Sequence, residues 1–118
     1  MNHISIGDKG EQSAVVYLSK LGYKIIATKY RTKTGEIDII AQDQDYVVFV
    51  EVKTRRSTSY GLPAEAVNLR KQQKIIKTAL WYLHYRGLNN IVCRFDILEV
   101  YLLKGTIRYN HIINAFGS

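Results

Sequence analysis

The chain contains 118 residues, of which 47% are hydrophobic and 23% charged, and its 17 lysines and arginines outnumber 10 acidic residues to give a net charge of +7. This excess of positive charge favours a polyanionic partner, with nucleic acid first and an anionic membrane surface second. The single cysteine excludes an internal disulfide and is typical of the reducing cytoplasm, and no apolar stretch approaches the roughly 20 residues of a membrane span. We therefore expect one cytoplasmic domain over residues 1–118, with no signal sequence and no membrane segment.

The first predicted element is a helix that starts near residue 8 or 9 and ends at Leu21, where Gly22 stops it. Its apolar stripe consists of Ala14, Val15, Leu18 and Leu21. Glu11 precedes this stripe by one helical turn, so we expect its side chain on the buried side of the helix. The helix dipole favours an acid in the first turn but does not explain an inward direction, which makes Glu11 a candidate site residue. A strand is predicted next, over residues 23–30.

Two further strands carry acids where a strand is usually apolar. They are predicted over residues 36–40 and 46–53, with residues 42–45 as the hairpin loop between them. If Ala41 pairs with Tyr46, Asp38 lies opposite Phe49, whereas a slip of two residues places Asp38 opposite Glu51. Both registers gather the same charged side chains on one face, namely Glu36, Asp38, Glu51 and Lys53.

This concentration of acids on one face of a hairpin calls for a cation, because like charges that face each other across a ladder destabilise it. Magnesium fits best, since it binds one or two carboxylates together with waters and phosphate oxygens, and a lysine two residues after a metal-binding glutamate can hold an attacking water. The alternative is a mixed-charge hairpin edge that only prevents aggregation.

Two basic segments flank the acidic strands, a turn over residues 31–35 and a polar loop over residues 54–61. Their candidate nucleic-acid-binding cations are Arg31, Lys33, Arg55 and Arg56. Arginines near the end of a strand suit phosphate recognition. For the turn, phosphate contact and a merely solvated role remain open.

The next helix is predicted to begin at Pro63 and to run to about Arg86, with a kink near Asn68. Its inward face is predicted to consist of Leu69, Gln72, Ile76, Ala79 and Leu83. The opposite side carries Arg70, Lys74, Lys77 and Trp81. Three interpretations of this outer stripe remain open: nucleic-acid contact with Trp81 stacked on an unpaired base, a solvated face, or an oligomer interface.

The remaining chain is predicted to form a long strand over residues 91–103, a turn at Lys104–Gly105 and a returning strand over residues 106–109. Asp96 is a lone acid among apolar neighbours, and we expect it to pair with Arg94 on its own strand face rather than to bind metal. The histidines show no ligand spacing, so no zinc site is predicted.

The pattern of Asp38, Glu51-Val52-Lys53 and an upstream Glu11 resembles the PD-(D/E)xK nuclease superfamily, in particular archaeal Holliday-junction resolvases. The chain resembles even more closely the YraN-like family of small bacterial predicted endonucleases. The residues that carry this resemblance are Gly10-Glu11, Tyr17-Leu18, Gly22-Tyr23, Gly35 to Asp38, Phe49 to Lys53, Tyr60-Gly61, Pro63, Glu65 to Val67 and Arg94-Phe95-Asp96. They extend over most of the sequence.

The predicted order of elements gives an α/β domain with a mixed central sheet between two helices, in agreement with the restriction-endonuclease-like core that the resemblance implies. The resemblance further implies an endonuclease that hydrolyses DNA phosphodiester bonds with Mg²⁺ or Mn²⁺, acts on branched or structured DNA, and forms a homodimer as related resolvases do. The implied metal ligands are Asp38, Glu51 and the Val52 carbonyl, while Lys53 positions the attacking water and Glu11 completes the catalytic set. Glu36 is a reserve ligand. The alternative is a non-catalytic nucleic-acid-binding protein that keeps a nuclease-like fold, and a structural partner protein is a third possibility.

Overall fold

The computed structural model describes residues 4–56 and 67–117. In these residues the chain forms two helices and five strands: α1 (Ile6–Lys20), β1 (Lys24–Arg31), β2 (Glu36–Asp43), β3 (Tyr46–Arg55), α2 (Leu69–Tyr85), β4 (Cys93–Leu103) and β5 (Thr106–Phe116). Among them, neither helix is both long enough and apolar enough to cross a bilayer.

The strands form one sheet in the order β1-β2-β3-β4-β5, in which β3 and β4 are parallel and the other neighbouring pairs are antiparallel. A parallel pair needs a crossover connection, and α2 lies within the connection from β3 to β4. The result is a mixed sheet with a helix on each face. This confirms the predicted α/β class and is consistent with a restriction-endonuclease-like core.

The central strand β3 is buried on both of its faces, and each face belongs to a different core. Val47 and Phe49 pack with residues of α2, whereas Val48, Val50 and Val52 pack with residues of α1. Successive side chains of a strand point to opposite faces, so Glu51 and Lys53 share the α2 face with Phe49. The sheet therefore places the candidate site residues of β3 under α2.

Helix α1 begins at Ile6, earlier than predicted, because Ser5 caps it by accepting a hydrogen bond from the Asp8 N–H at 3.1 Å. It ends before Gly22, as predicted, and this glycine adopts a φ of +94°. Gly10 is buried, and a Cβ built on it would lie only 1.8 Å from Thr54 Oγ1. A glycine at this position therefore allows α1 to approach the end of β3 and brings the adjacent Glu11 close to that strand.

Helix α2 begins at Leu69, and Asn68 is its N-cap rather than a kink, since Asn68 Oδ1 accepts a hydrogen bond from the Lys71 N–H at 2.9 Å. The predicted start at Pro63, like the predicted loop beyond residue 56, lies outside the described residues. The buried residues of the helix are Ile75, Thr78, Ala79, Tyr82 and Leu83. The predicted inward face was therefore right for Ala79 and Leu83 but wrong for Leu69, which is 67% exposed.

The C-terminal hairpin is longer than predicted. The turn at Lys104–Gly105 is confirmed, but β5 continues to Phe116 instead of ending at residue 109. A register shift between Phe95 and Ile97 interrupts its ladder with β4, and Asn114 adopts a φ of +55°. Such an irregularity breaks the strict alternation by which strands are recognised in a sequence.

Candidate functional site

The β2–β3 hairpin sets the register on which the site depends. Its turn consists of two residues, Gln44 and Asp45, rather than the predicted loop over residues 42–45. Asp43 pairs with Tyr46 and Ile39 pairs with Val50, where the paired ladder ends. Continued by one residue, this register places Asp38 level with Glu51, and Asp38 bonds the N–H of the next residue, Val52. Of the two registers predicted, the one that opposes Asp38 to Phe49 is wrong.

Asp38 and Glu51 form a pair of neighbouring acids, of which Asp38 is half-buried and Glu51 is buried. Glu51 is 5% exposed, and Asp38 Oδ2 accepts a hydrogen bond from the Val52 N–H at 2.8 Å. Burial raises the pKa of Asp38 to about 7, and the charge of Glu51 contributes to the same shift. Two carboxyl groups in this position resist being ionised together unless a positive charge joins them.

Two lysines supply positive charge at Glu51. The Lys71 ammonium lies 2.7 Å from Glu51 Oε1 and that of Lys53 lies 3.8 Å from the same oxygen. Burial, followed by the neighbouring Lys71, lowers the pKa of Lys53. Burial alone would also lower the pKa of Lys71, but its hydrogen bond to Glu51 and the charge of that carboxylate outweigh burial and raise it. The site therefore holds two ammonium groups of different basicity at one carboxylate.

Lys71 is a site residue that the sequence analysis missed. It belongs to the first turn of α2, four residues before the buried Ile75 and seven before the buried Thr78. Residues at these spacings lie on one helix face. The signal was available in the sequence, but the predicted phase of the helix, which placed Leu69 inward, left Lys71 on neither of the two faces considered.

Glu11 approaches the same acids from α1. Its Oε1 atom is buried and has no hydrogen-bond partner among the described residues. Burial raises the pKa of Glu11, and the charges of Glu36 and Glu51 act in the same direction. In turn the charge of Glu11 contributes to the raised pKa of Asp38. The predicted inward direction of Glu11 is confirmed.

A cavity of about 150 Å³ opens beside the two acids. It is lined by Gly35, Glu36, Asp38, Glu51, Lys71, Lys74 and Ile75. Glu36 is exposed and pairs with Arg31 at 3.2 Å, so the reserve ligand is engaged by one of the predicted phosphate-binding cations. Glu11 lines a different groove, with Asp8, Thr28 and Lys29. The cavity itself is thus bounded by Asp38 and Glu51 on the sheet and by lysines on α2.

The carboxylate oxygens at the site are of the ligand type that a divalent cation such as Mg²⁺ prefers. Within residues 4–56 and 67–117, no three histidine, cysteine or acidic side chains are gathered closely enough to hold a metal ion by themselves. The donors at the cavity are instead the carboxylates of Asp38 and Glu51. The unpartnered Oε1 of Glu11, which lines the other groove, is a further buried acceptor on the α1 side. Oxygen ligands of this type suit Mg²⁺, which keeps several of its waters. The role of the Val52 carbonyl stays a prediction.

Arg55, predicted to lie in the loop, is instead the last residue of β3 and is held by a buried acid. Arg55 donates through Nε to Glu99 Oε2 at 3.4 Å, and Glu99 is buried. The other oxygen of Glu99 accepts hydrogen bonds from the Tyr101 hydroxyl at 2.7 Å and from Asn110 at 3.3 Å. Glu99 pairs with Lys53 across the parallel strands, so this cluster directly adjoins the site. Sequence analysis did not identify Glu99 or Tyr101.

The remaining predicted cations are exposed. They are Lys33, Arg56, Arg70, Lys74 and Lys77. Of these, only Lys74 lines the cavity of Asp38 and Glu51. The others surround it at a greater distance on the turn before β2, at the end of β3 and along α2.

A second buried acid, Asp96, lies on β4 away from these residues. The predicted partner is confirmed, since Arg94 Nε lies 3.1 Å from Asp96 Oδ1. His111 Nε2 lies 2.8 Å from Oδ2, and the Asn114 N–H donates to Oδ1 at 2.9 Å. Arg94 also contacts Asp43 at 3.2 Å. Asp96 therefore joins β4 to β5, Arg94 extends the link to β2, and neither residue is part of the candidate site.

Comparison with known proteins identifies the family. The model of the uncharacterised protein family UPF0102 matches residues 10–100. A UPF0102 protein of Clostridioides difficile is 50% identical over 116 residues, covering 98% of this chain and 100% of the relative. A UPF0102 protein of Caldanaerobacter subterraneus is 48% identical, with 98% of both chains covered. One of Alkaliphilus metalliredigens is 51% identical, with 95% of this chain and 97% of the relative covered. The chain therefore belongs to the UPF0102 family.

Proposed function

We propose that this protein is a divalent-metal-dependent endonuclease of the PD-(D/E)xK type that hydrolyses phosphodiester bonds of DNA. The observation that carries the proposal is the juxtaposition of Asp38 and Glu51 at a cavity lined by lysines. Buried like charges cost stability, and active sites are where proteins retain such groups. The UPF0102 description of the relatives does not name an activity, so the proposal stands on this geometry.

In the proposed reaction Asp38 and Glu51 would hold Mg²⁺ or Mn²⁺, with a further oxygen from Glu11 on α1. An ion bound there would supply positive charge close to the phosphate that is attacked. Lys53 holds the attacking water, and because burial and Lys71 lower its pKa, the Lys53 amine gives up its proton more readily than an exposed lysine and can then act as the base for this water. The water oxygen bonds to phosphorus, the bond from phosphorus to one sugar oxygen breaks, and the departing oxygen takes a proton from solvent.

The charge of the protein favours a polynucleotide substrate. The net charge is +7, and lysines line the cavity at the point where a phosphate would enter. Arg55 lies two residues beyond Lys53 on the same strand face, and its contact with the buried Glu99 holds the guanidinium in place. A cation held in this way is suited to a phosphate next to the one that is cut.

A second candidate function is nucleic-acid binding without turnover. It is favoured by the 2.7 Å contact between Lys71 and Glu51, because an ammonium group in this position compensates the carboxylate without any metal ion. A protein that had lost catalysis could keep its fold by this means. The acids and Lys53 that the nuclease proposal requires are nevertheless all present.

Cleavage assays on several substrates distinguish the two candidates. Plasmid, forked, four-way and single-stranded DNA, together with a structured RNA, are incubated with the protein in Mg²⁺, in Mn²⁺ or in EDTA. We expect metal-dependent nicking by the wild type and none by Asp38→Ala or Lys53→Ala, with unchanged folding by circular dichroism. The matched control is Asp45→Ala, which removes an exposed acid from the turn of the same hairpin.

Each outcome of these assays has a definite meaning. Cleavage that persists in both site variants contradicts the assignment of the site. Binding of nucleic acid by the wild type with no metal-dependent nicking on any substrate supports the second candidate instead. Cleavage of the RNA alone would retain the chemistry and change the substrate.

A further inference from the structure

The outer side of α2 carries a row of cations that ends in aromatic rings. Arg70, Lys74 and Lys77 recur at the spacing of one helical turn, and Trp81 and Tyr85 continue the row. With a rise of about 1.5 Å per residue, the row from Arg70 to Trp81 is about 17 Å long. We call these five residues the α2 stripe.

The charges of the α2 stripe have no acidic counterparts. The sequence of α2, from Leu69 to Tyr85, contains no aspartate or glutamate. Within the described part of the chain, no ion pair involves Arg70, Lys74 or Lys77. A helix face that only serves solubility usually mixes both signs and gains from pairs four residues apart. A face of one sign instead attracts a polyanion.

A groove follows the cationic half of the stripe and meets the candidate site. It has a volume of about 570 Å³ and is lined by Thr34, Arg70, Gln73, Lys74, Ile76, Lys77 and Leu80. Lys74 lines both this groove and the cavity beside Asp38 and Glu51. A chain of phosphates that lies in the groove therefore reaches the proposed point of cleavage without leaving the surface.

The aromatic half of the stripe offers a platform for stacking. Trp81 is 53% exposed and Tyr85 is 76% exposed. Their ring centroids are 6.2 Å apart, and that of His84 is 6.3 Å from the indole. Exposed aromatic rings beside a row of cations are the combination that binds single strands, because bases stack on the rings while phosphates pair with the cations.

The same features disfavour the other occupants of this surface. A second copy of the chain related by two-fold symmetry would place the α2 stripe against itself and bring like charges together. A regular duplex offers phosphates but no free base face to Trp81. Only an unpaired strand satisfies both halves of the stripe.

We propose that the α2 stripe binds single-stranded nucleic acid, with Arg70, Lys74 and Lys77 on its phosphates and Trp81 stacked on a base. The proposal rests on the proposed function, because it makes this strand the unpaired arm that leads into the nuclease site. It assigns the protein a preference for substrates in which a single strand adjoins the cut, such as flaps and forks, over uninterrupted duplex.

The test uses the intrinsic fluorescence of Trp81, which is the only tryptophan in the sequence. Oligo-dT is titrated into the full-length protein in EDTA, so that no cleavage takes place. We expect quenching by oligo-dT and little quenching by an abasic oligomer with the same number of phosphates. Trp81→Ala should weaken oligo-dT binding about tenfold, measured by anisotropy of a labelled oligomer, and Trp81→Phe should recover most of this loss.

The cationic half is tested separately by the dependence of binding on salt. Arg70→Gln combined with Lys77→Gln should lower the slope of log K against log salt by about 1.4, since each phosphate contact on a single strand contributes about 0.7. The control is Val16→Ala, which truncates a half-exposed apolar residue on α1 and should change neither measurement.

Two results would overturn the inference. The first is equal quenching by the abasic oligomer, which would leave charge alone as the source of binding. The second is a Trp81 signal that depends on protein concentration and not on oligo-dT, which would make the stripe an interface between copies. The binding measurements are made in EDTA and are therefore independent of cleavage. If the separate cleavage assays show metal-dependent nicking but Trp81 does not stack on a base, the proposed function stands and only this inference is removed.

Discussion

Two groups of acids in the described residues, one around Asp96 and one around Asp38 and Glu51, differ in how fully their charge is compensated. Asp96 is 0% exposed, and both of its oxygens accept hydrogen bonds, from Arg94, His111 and the Asn114 N–H. Burial alone would raise the pKa of Asp96, but these contacts outweigh it and the pKa lies below its usual value. Asp38, in contrast, has one backbone donor and an acidic neighbour, and its pKa rises to about 7.

We infer from this difference that Asp96 serves the fold, whereas Asp38 serves the proposed metal-dependent function. A buried carboxylate whose partners are all provided by the chain joins strands and needs nothing from outside. The half-buried carboxylate of Asp38, beside Glu51 and near the unpartnered Glu11 oxygen, is kept at a cost to stability. Such a cost is expected at a site that binds a cation. The two groups therefore respond in opposite ways to the same chemical change.

Neutralising Asp96 should have the largest effect on stability. Asp96→Asn keeps the shape of the side chain but leaves Arg94 without its buried counter-charge, which typically costs about 3–5 kcal/mol. The measurement is chemical unfolding at pH 7, with Asp45→Asn as the exposed control, for which a change within about 0.5 kcal/mol is expected. A loss no larger than that of the control would contradict the structural role of Asp96.

The pH dependence of unfolding tests the same carboxylate. Because the pKa of folded Asp96 is depressed, its stabilising contribution is present above the usual aspartate value of about 3.9 and is lost as the pH falls through the lower folded value. The wild type should therefore lose stability on acidification below about pH 4. Asp96→Asn should show a shallower dependence in that range.

Neutralising Asp38 should raise the free energy of unfolding, by less than neutralising Asp96 lowers it. In EDTA at pH 8, Asp38→Asn removes a charge that is unfavourable in the folded state, and we expect a gain of about 1–2 kcal/mol, below the full value of the pKa shift because the group is partly solvated. The folded pKa is raised, so the wild type loses stability as the pH rises from about 4 to about 7. The gain in stability of the variant should shrink towards pH 4. A variant that is less stable than the wild type at pH 8 would show that Asp38, like Asp96, stabilises the fold.

The sequence was sufficient to predict the fold class and the alternation of side chains along β3, because both depend on local pattern and on the order of elements. The alternation expected for β2 fails at its start, since Ile37 packs with the α2 core and Ile39 with the α1 core. It did not decide the register, since that required knowing that the turn is confined to Gln44 and Asp45. His111 was not recognised as a partner of Asp96 because the two residues meet only through the pairing of β4 with β5. Lys71 was missed because the predicted phase of α2 placed Leu69 inward, whereas the helix packs through Ile75 and Thr78, which share a face with Lys71.

Lys71 provides a further test, since it is the nearer of the two cations at Glu51. Lys71→Met leaves the buried Glu51 with only the more distant Lys53, and we expect a loss of about 1–2 kcal/mol in EDTA. If a metal ion competes with Lys71 for Glu51, Mg²⁺ should raise the melting temperature of this variant more than that of the wild type. Equal shifts, or none, would favour the non-catalytic candidate.

The smallest effect is expected for Glu99, on the salt dependence of DNA binding. The result decides whether Glu99 belongs to the candidate site or to the structural acids. Like Asp96 it is buried and hydrogen-bonded, but like Glu51 it adjoins Lys53, and it holds the half-buried Arg55. We expect Arg55→Gln to lower the salt slope of DNA binding by about 0.7–0.9, and Glu99→Gln to lower it in the same direction because the guanidinium is no longer oriented. Arg108→Gln on β5 serves as the exposed control. If Glu99→Gln reduces the free energy of unfolding but leaves the slope unchanged, Glu99 belongs with Asp96, and the site ends at Lys53.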